Sequence, residues 1–405
     1  MDPSFPQTHQ AHQRGQNVRL MHQIYSAVTI PKVAYAADVW YTPTRKKEGA
    51  SRCSGSVSVT NKLASIQRMA TIAIMGVMCT TATDVLGLHA GLTPILLMLH
   101  QICHLVTLRL ASLPETHPLH SVFHTWAKWY IKTHRSPLHE LASTYNITFG
   151  SIEPTTPARS SPAYILKAKV PMLPLSEEAE EEEPIEEDVV QVYSDGSGLG
   201  GQVGAAAVMY WTGRGLRVLR YHLGPLTNHT VFEAEAVGLL LALHMLKYEC
   251  DAPWAIVRLD NQAVLGALHI CKPSPTQVII DEIIAQMERN WAGASNPAYT
   301  LDVTWVWGHI GVEGNERVNR EAKEAAKGHS SQKRNLPKFL TKAPLPKSIS
   351  AQWQEFNTEL MRRWKHKWAK SPWHTRISRI NPTMPSNGFQ KLMTGLSRSQ
   401  ASIIM

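Results

Sequence analysis

Three carboxylates, Asp195, Glu235 and Asp260, stand where the surrounding pattern gives them chemical meaning. Asp195 closes the apolar run VVQVYSD (189–195) and Asp260 closes AIVRLD (255–260), two segments of strand character. If those strands lie side by side, the two side chains meet at the edge where α/β sheets hold ligands. Glu235 shares the stripe of Leu239, Ala242 and Leu243 along the helical run TVFEAEAVGLLLALHMLKY (230–248), whereas Glu233 points elsewhere. A carboxylate on an apolar stripe is costly unless it is paired or binds a metal. Taken singly, each acid would serve as a cap or a surface group; three on one edge are a different matter. Oxygen ligands without Cys or His suit Mg²⁺ or Mn²⁺ rather than zinc. Two such ions about 4 Å apart activate a water and stabilise the leaving oxygen of a phosphodiester.

The elements that must position these acids are legible in outline. After VVQVYSD comes a glycine-rich turn (Gly196, Gly198, Gly200, Gly201, Gly204), then VGAAAVMYW ending at Trp211, the connection TGRG (212–215) and LRVLRYHLG. These predict three antiparallel strands joined by tight turns. Thr230 starts the long helix, with Glu233 completing a capping box. The strand at 255–260 follows, then helical segments at 261–270 and 276–291, a strand LDVTWVW (301–307), the loop GHIGVEG and the charged helix NERVNREAKEAAKG. A meander followed by alternating strands and helices implies a mixed α/β sheet.

The chain has 405 residues, 43% of them hydrophobic, which is enough for two or three packed units and excludes a disordered chain, a disulfide miniprotein and a collagen. Five cysteines with no CxxC pair suggest neither a zinc ribbon nor a disulfide framework, and so a reducing, intracellular setting, nuclear or cytoplasmic. Cys250 and Cys271 flank the fourth strand as buried thiols. Residues 1–20 form a polar, Gln/His-rich tail without the apolar centre of a signal peptide. Residues 21–150 are mostly helical; within them 92–111 is interrupted by His100, Gln101, His104 and Arg109, which predicts a packed helix rather than a membrane span. His117, His120 and His124 sit among Pro and Thr as surface residues.

Charge is distributed unevenly. Forty-one Lys+Arg against 32 Asp+Glu give a net charge of +9. Residues 151–188 are Pro/Ser/Thr-rich and end in the acidic run EEAEEEEPIEED (177–188), a solvated linker or, alternatively, an acidic decoy for the basic surfaces. The α/β domain occupies 189–329, and 330–405 form a basic tail. There Trp353, Phe356, Leu360, Trp364 and Trp368 recur at helical spacing, interleaved with Arg362, Arg363, Lys365, Lys367 and Lys370. This is an amphipathic helix docking its Trp stripe, a nucleic-acid arm whose cations neutralise phosphates while its aromatics stack on bases, or both. A basic chain carrying a hard-metal carboxylate site is a candidate nuclease.

The motifs SDGSG around Asp195, FEAEAVGLLLAL around Glu235, RLDNQAVLGAL around Asp260 and WVWGHIGVEGNERVNREAKEAA around His309 resemble, in order, a type 1 ribonuclease H. The resemblance implies a ribonuclease H-like mixed five-stranded sheet with flanking helices, here preceded by a mostly helical region and followed by a basic helical tail. It implies an endonuclease that cuts the RNA strand of an RNA/DNA hybrid with Mg²⁺, or Mn²⁺, and leaves a 5′ phosphate. Such a protein separates RNA from DNA through the 2′-hydroxyl in the shallow minor groove. By motif position Asp195, Glu235 and Asp260 take the places of three metal-binding acids, and His309 that of a loop histidine assisting turnover. The fourth acid's position holds Asn319, a neutral and weaker ligand, which leaves open a catalytically impaired nucleic-acid-binding remnant. Glu316, on the same helix, is a candidate to compensate. Trp307 stands where a proline is usual. A related nuclease acting on DNA is disfavoured by the GNER helix and the loop histidine.

The flanks IPKVAYAADVWYTP (30–43), 63–110 and LPKSISAQW (345–353) are similar to regions of fungal non-LTR retrotransposon polyproteins. Reverse transcription needs a Tyr-x-Asp-Asp turn; the chain has no Asp-Asp pair, so polymerase activity is not expected.

Overall fold

Apolar helical periodicity dominates the N-terminal third, and helices form there. The computed structural model describes residues 18–46, 49, 51–128, 137–158, 189–211, 215–249, 252–270, 272–296, 298–306 and 312–380. In chain order the first helices are α1 (Val18–Ile24), a π-helical turn (Tyr25–Thr29), α2 (Ile30–Val33), α3 (Ala37–Trp40), α4 (Val57–Met75), α5 (Thr83–His89), α6 (Ile95–Ala111), α7 (His120–Lys128) and α8 (Pro137–Tyr145). Gly76 ends α4 in the left-handed conformation, at φ 66°, where a side chain would be strained. The stretch at 92–111 becomes α6, and no described helix is long and apolar enough to cross a membrane.

The sheet comprises β1 (Val189–Leu199), β2 (Gln202–Tyr210), β3 (Arg217–Pro225), β4 (Trp254–Leu259) and β5 (Thr300–Trp305) in the order β3-β2-β1-β4-β5. β1 to β3 form the antiparallel meander; β4 runs parallel to β1, and β5 to β4. The later helices are α9 (Val231–Leu246), α10 (Gln262–His269), α11 (Gln277–Gly293), α12 (Glu313–Ala326), α13 (Lys338–Lys342), α14 (Ile349–Ala369) and α15 (His374–Ile380). β1 is central and buried on both faces, and its side chains alternate accordingly. Val190 and Val192 join the main core with Val237, Leu240 and Leu241 of α9, whereas Tyr193 packs with Val318 and Ala322 of α12. This is the ribonuclease H-like α/β arrangement that the resemblance implied, with helices before and after the sheet.

Contacts divide the chain into two compact units. One draws on Met1–Thr107, Trp126–Ile147 and Phe356–Met405, the other on Leu108–Thr125 and Thr148–Glu355. In the first, Ala37, Tyr41, Leu99, Cys103 and Leu141 form one core, and the C-terminal part of α14 packs there too, with the Phe356 ring stacked on His104 at 3.8 Å. In the second, Glu153 is 5% exposed. Its carboxylate accepts from the backbone N–H groups of Thr276, at 2.7 Å, and Ile349, at 2.8 Å, just ahead of α11 and at the first residue of α14. It lies in the stretch whose composition resembles a linker; residues 159–188, with the acidic run, lie outside the described residues.

Two expectations about the meander are corrected. The glycines do not form one long turn, and Asp195 does not end its strand: β1 continues to Leu199, and only Gly200 and Gly201 turn the chain. Gly196 and Gly204 lie within strands, because helices cross them closely. A Cβ at Gly196 would meet Glu235 N of α9 at 2.2 Å, and one at Gly204 would meet Ala326 N of α12 at 2.1 Å.

Candidate active site

The parallel pairing of β1 with β4 ends at the pair Ser194 and Leu259. The next residue on each strand is an acid, so Asp195 and Asp260 stand together just beyond that ladder. Glu235 reaches them from the second turn of α9, which the glycine at 196 allows to lie against β1. Carboxylate oxygens of the three residues all lie within 4.8 Å of one another, with Asp195 and Glu235 buried and Asp260 half-buried. The sequence expectation that these acids converge is met, although the strand boundary is drawn differently.

Local bonds hold the arrangement. The backbone N–H of Gly196 donates to Glu235 Oε2 at 3.0 Å. Asn261 caps α10 by accepting from Ala263 N at 3.0 Å, and the indole N–H of Trp305 donates to the Asp260 carbonyl at 3.0 Å. Burial pushes the Glu235 carboxyl up to about 9, and the neighbouring charges of Asp195 and Asp260 push the same way; the Gly196 N–H and Asn261 pull it back down. Glu233 is equally buried but serves the helix instead, since its carboxylate accepts from Thr230 N at 2.6 Å while its own N–H donates to Thr230 Oγ1 at 3.1 Å. The expected capping box is therefore present, and it separates two glutamates that hydrophobic periodicity alone distinguishes weakly.

Asn319 is half-buried on α12, whose first turn approaches β1 so closely that a Cβ on Gly314 would meet the Tyr193 ring at 2.3 Å. Glu316 is exposed and does not join the carboxylate cluster, so the compensation expected of it is not found. It projects from the outer side of the helix, where water solvates its charge. His309 and Trp307 lie outside the described residues, as do Cys250 and Cys271. His120 and His124 stack at 4.0 Å, and His120 Nδ1 is 2.7 Å from the Leu113 carbonyl; with His117 they form no metal-ligand group among the described residues.

Two contributors escape a reading of residue types: the Gly196 N–H, a donor to Glu235, and Asn261, which acts on it as well as on α10. The only sequence signal for either is adjacency, each directly following one of the two aspartates.

The basic tail resolves into two faces. Leu360, Trp364 and Trp368 are buried, with both indoles against Val85 and Leu88 of α5. Arg362, Arg363, Lys365 and Lys367 are exposed. Glu359 accepts from Arg362 Nε at 2.6 Å and Arg363 Nε at 2.8 Å, and these bonds hold its carboxyl at about 2.

No protein-family model matches the sequence, and the search of curated proteins gives no match. Among solved structures, the chain is similar to ribonuclease H1 of the halophilic archaeon Halobacterium salinarum, at 20% identity over 35% of this chain and 99% of that one, with a TM-score of 0.28. It is similar also to the N-terminal ribonuclease H domain of a Mycobacterium tuberculosis protein, solved as a fusion with maltose binding protein, at 19% identity over 35% and 94% of the two chains with a TM-score of 0.27. A third is LC11 ribonuclease H1 in complex with an RNA/DNA hybrid, at 19% identity over 34% and 97% with a TM-score of 0.27.

Proposed function

We propose that this protein is a divalent-metal-dependent endonuclease that hydrolyses the RNA strand of RNA/DNA hybrids. The observation that carries the reading is the meeting of Asp195, Glu235 and Asp260 within 4.8 Å at the end of the parallel ladder. Three hard oxygen donors, two of them buried and none accompanied by Cys or His, fit Mg²⁺ or Mn²⁺. Burial, and then the charges of Asp195 and Asp260, push the Glu235 carboxyl up, and a bound cation would favour its ionised form. Asp195, Glu235 and Asp260 would hold the metal, and Asn319 would add a neutral amide oxygen. Bound there, divalent cations supply an activated water and charge stabilisation at the scissile phosphate. The protein's own groups fix the geometry: β1 and β4 set the two aspartates, the Gly196 N–H orients Glu235, and the Trp305 indole anchors the Asp260 backbone. His309, four residues beyond β5, takes the part of a turnover-assisting group.

The flanking motifs and the missing Asp-Asp pair support a retroelement-derived fragment without polymerase activity. A second reading, a hybrid-binding protein with impaired catalysis, is favoured by one observation: Asn319 removes a formal charge from the fourth position.

The test is cleavage of a labelled RNA/DNA hybrid in Mg²⁺ and in Mn²⁺. Wild-type cleavage is expected, and Asp195→Asn lowers its rate about a thousandfold, the several kcal/mol that metal stabilisation supplies. If the wild type is silent and Asn319→Asp revives it, the scaffold is intact and the fourth ligand is what it lacks. Silence in both overturns the enzyme and leaves hybrid binding.

A further inference from the structure

The catalytic proposal leaves the strongest concentration of positive charge without a role. From Leu360 through Ile380 there are seven Lys and Arg residues and no Asp or Glu. Arg362 and Arg363 are tied to Glu359. Lys365 and Lys367 of the α14 end, Lys370 just beyond it, and Arg376 and Arg379 of α15 are exposed and make no ion pair among the described residues. Five unpaired cations along two consecutive helical segments repel one another, a cost that a polyanion removes.

The buried face of α14 restricts what that polyanion is. Trp364 and Trp368 are 9% and 4% exposed and pack on α5, so neither stacks on a base. A helix lying on a membrane inserts its apolar stripe, and here that stripe is already used inside the fold. What remains outward is cationic, suited to phosphates in sequence and indifferent to base identity. Among the described residues of this segment one indole, Trp373 at the turn between α14 and α15, is 43% exposed and available for stacking. A platform for unpaired bases uses successive aromatics, whereas a lone indole among five cations leaves the phosphate contacts dominant.

We propose that the outward face of α14 and α15 is a sequence-independent contact for the sugar-phosphate backbone of duplex nucleic acid, with Lys365, Lys367, Lys370, Arg376 and Arg379 as the phosphate-binding residues. It deepens the proposed function by giving the same substrate class a second, non-catalytic contact, and it is read without cleavage.

The experiment measures anisotropy of fluorescent RNA/DNA hybrid and duplex DNA with the full chain in EDTA, between about 50 and 200 mM salt, the range of a standard counterion-release titration. For five phosphate contacts, log K is expected to fall against log salt with a slope steeper by about 4.5 than that of the variant with all five cations changed to Gln. At low salt that variant binds both duplexes at least about tenfold more weakly, the loss expected of a backbone contact that reads no sequence. A second variant, Lys365→Arg with Lys367→Arg and Lys370→Arg, keeps the charge and retains binding, which separates loss of charge from loss of fold. Trp373→Ala changes duplex affinity less than about twofold because it carries no phosphate contact. Unchanged affinity and slope in the Gln variant overturn the proposal. So does tighter binding to single strands that Trp373→Ala abolishes, or a Gln variant that loses anionic vesicles and keeps nucleic acid. Failure of hybrid cleavage in the wild type leaves this result standing, and failure here leaves the carboxylate site untouched.

Discussion

Helices α9 and α14 solve opposite problems with charge. From Glu233 to Leu246 every residue of α9 is buried, including two glutamates, whereas α14 buries one stripe near its C-terminal end and turns its cations to water. Inside, each acid needs a defined partner: the backbone of Thr230 for Glu233, and the Gly196 N–H for Glu235 beside two further acids. A buried carboxylate is therefore committed to partners of fixed geometry. Outside, a charge needs no partner, and it attracts an extended polyanion with little geometric demand. Cutting and holding, the two halves of the proposed activity, are accordingly separable by mutation.

The largest effect is expected from Trp368→Ala, which removes the anchor of α14. It should cost about 3–5 kcal/mol of stability, as for large aromatic truncations in cores, measured by denaturant unfolding. If instead the chain is hardly destabilised, the stripe is not a docked face and the two helices differ less than described.

A smaller effect, and one with a sign, comes from Glu235. Burial and the neighbouring Asp195 and Asp260 push its carboxyl up from the usual 4.5 to about 9 in the fold, which favours the protonated form where the unfolded chain has released the proton. That contribution is fully present below the unfolded value and is lost as pH rises through the folded one. In EDTA, stability should fall between roughly pH 4.5 and 9, and Glu235→Gln should melt higher than wild type at about pH 8 but not at about pH 4, followed by differential scanning calorimetry. Mg²⁺ should raise the wild-type Tm at the alkaline pH and leave the variant nearly unmoved. A wild type insensitive to Mg²⁺ would mean that the acids hold no cation.

The smallest change probes the contrast between the two glutamates of α9. Thr230→Ala breaks the capping box and should cost about 1 kcal/mol in unfolding experiments while leaving Mg²⁺ binding, read by calorimetry, within about twofold. Coupled losses of stability and metal affinity would show that Glu233 and Glu235 act as one unit.

Much of this contrast is legible in local pattern. Alternation gives the strands, and Thr230 followed by Glu233 gives the start of α9. The acids that follow the paired ends of β1 and β4 can be placed side by side once a mixed sheet is inferred. What local pattern misses is set by distant backbone. Gly196 and Gly204 look like turn residues because nothing near them in sequence announces the helices that cross β1 and β2. Periodicity finds the Trp stripe of α14 but leaves open whether it faces protein or bases; burial against α5 decides it. Glu153 has no signal at all, being one acid in a stretch rich in Pro, Ser and Thr.

That residue bears on how the chain can be divided. The Glu153 carboxylate is the acceptor for Thr276 and Ile349 amides separated from it by more than a hundred residues of chain. A fragment beginning at Val189 keeps every strand yet leaves those two donors without their acceptor. A piece that keeps both bonds thus begins before Glu153 and extends past Ile349.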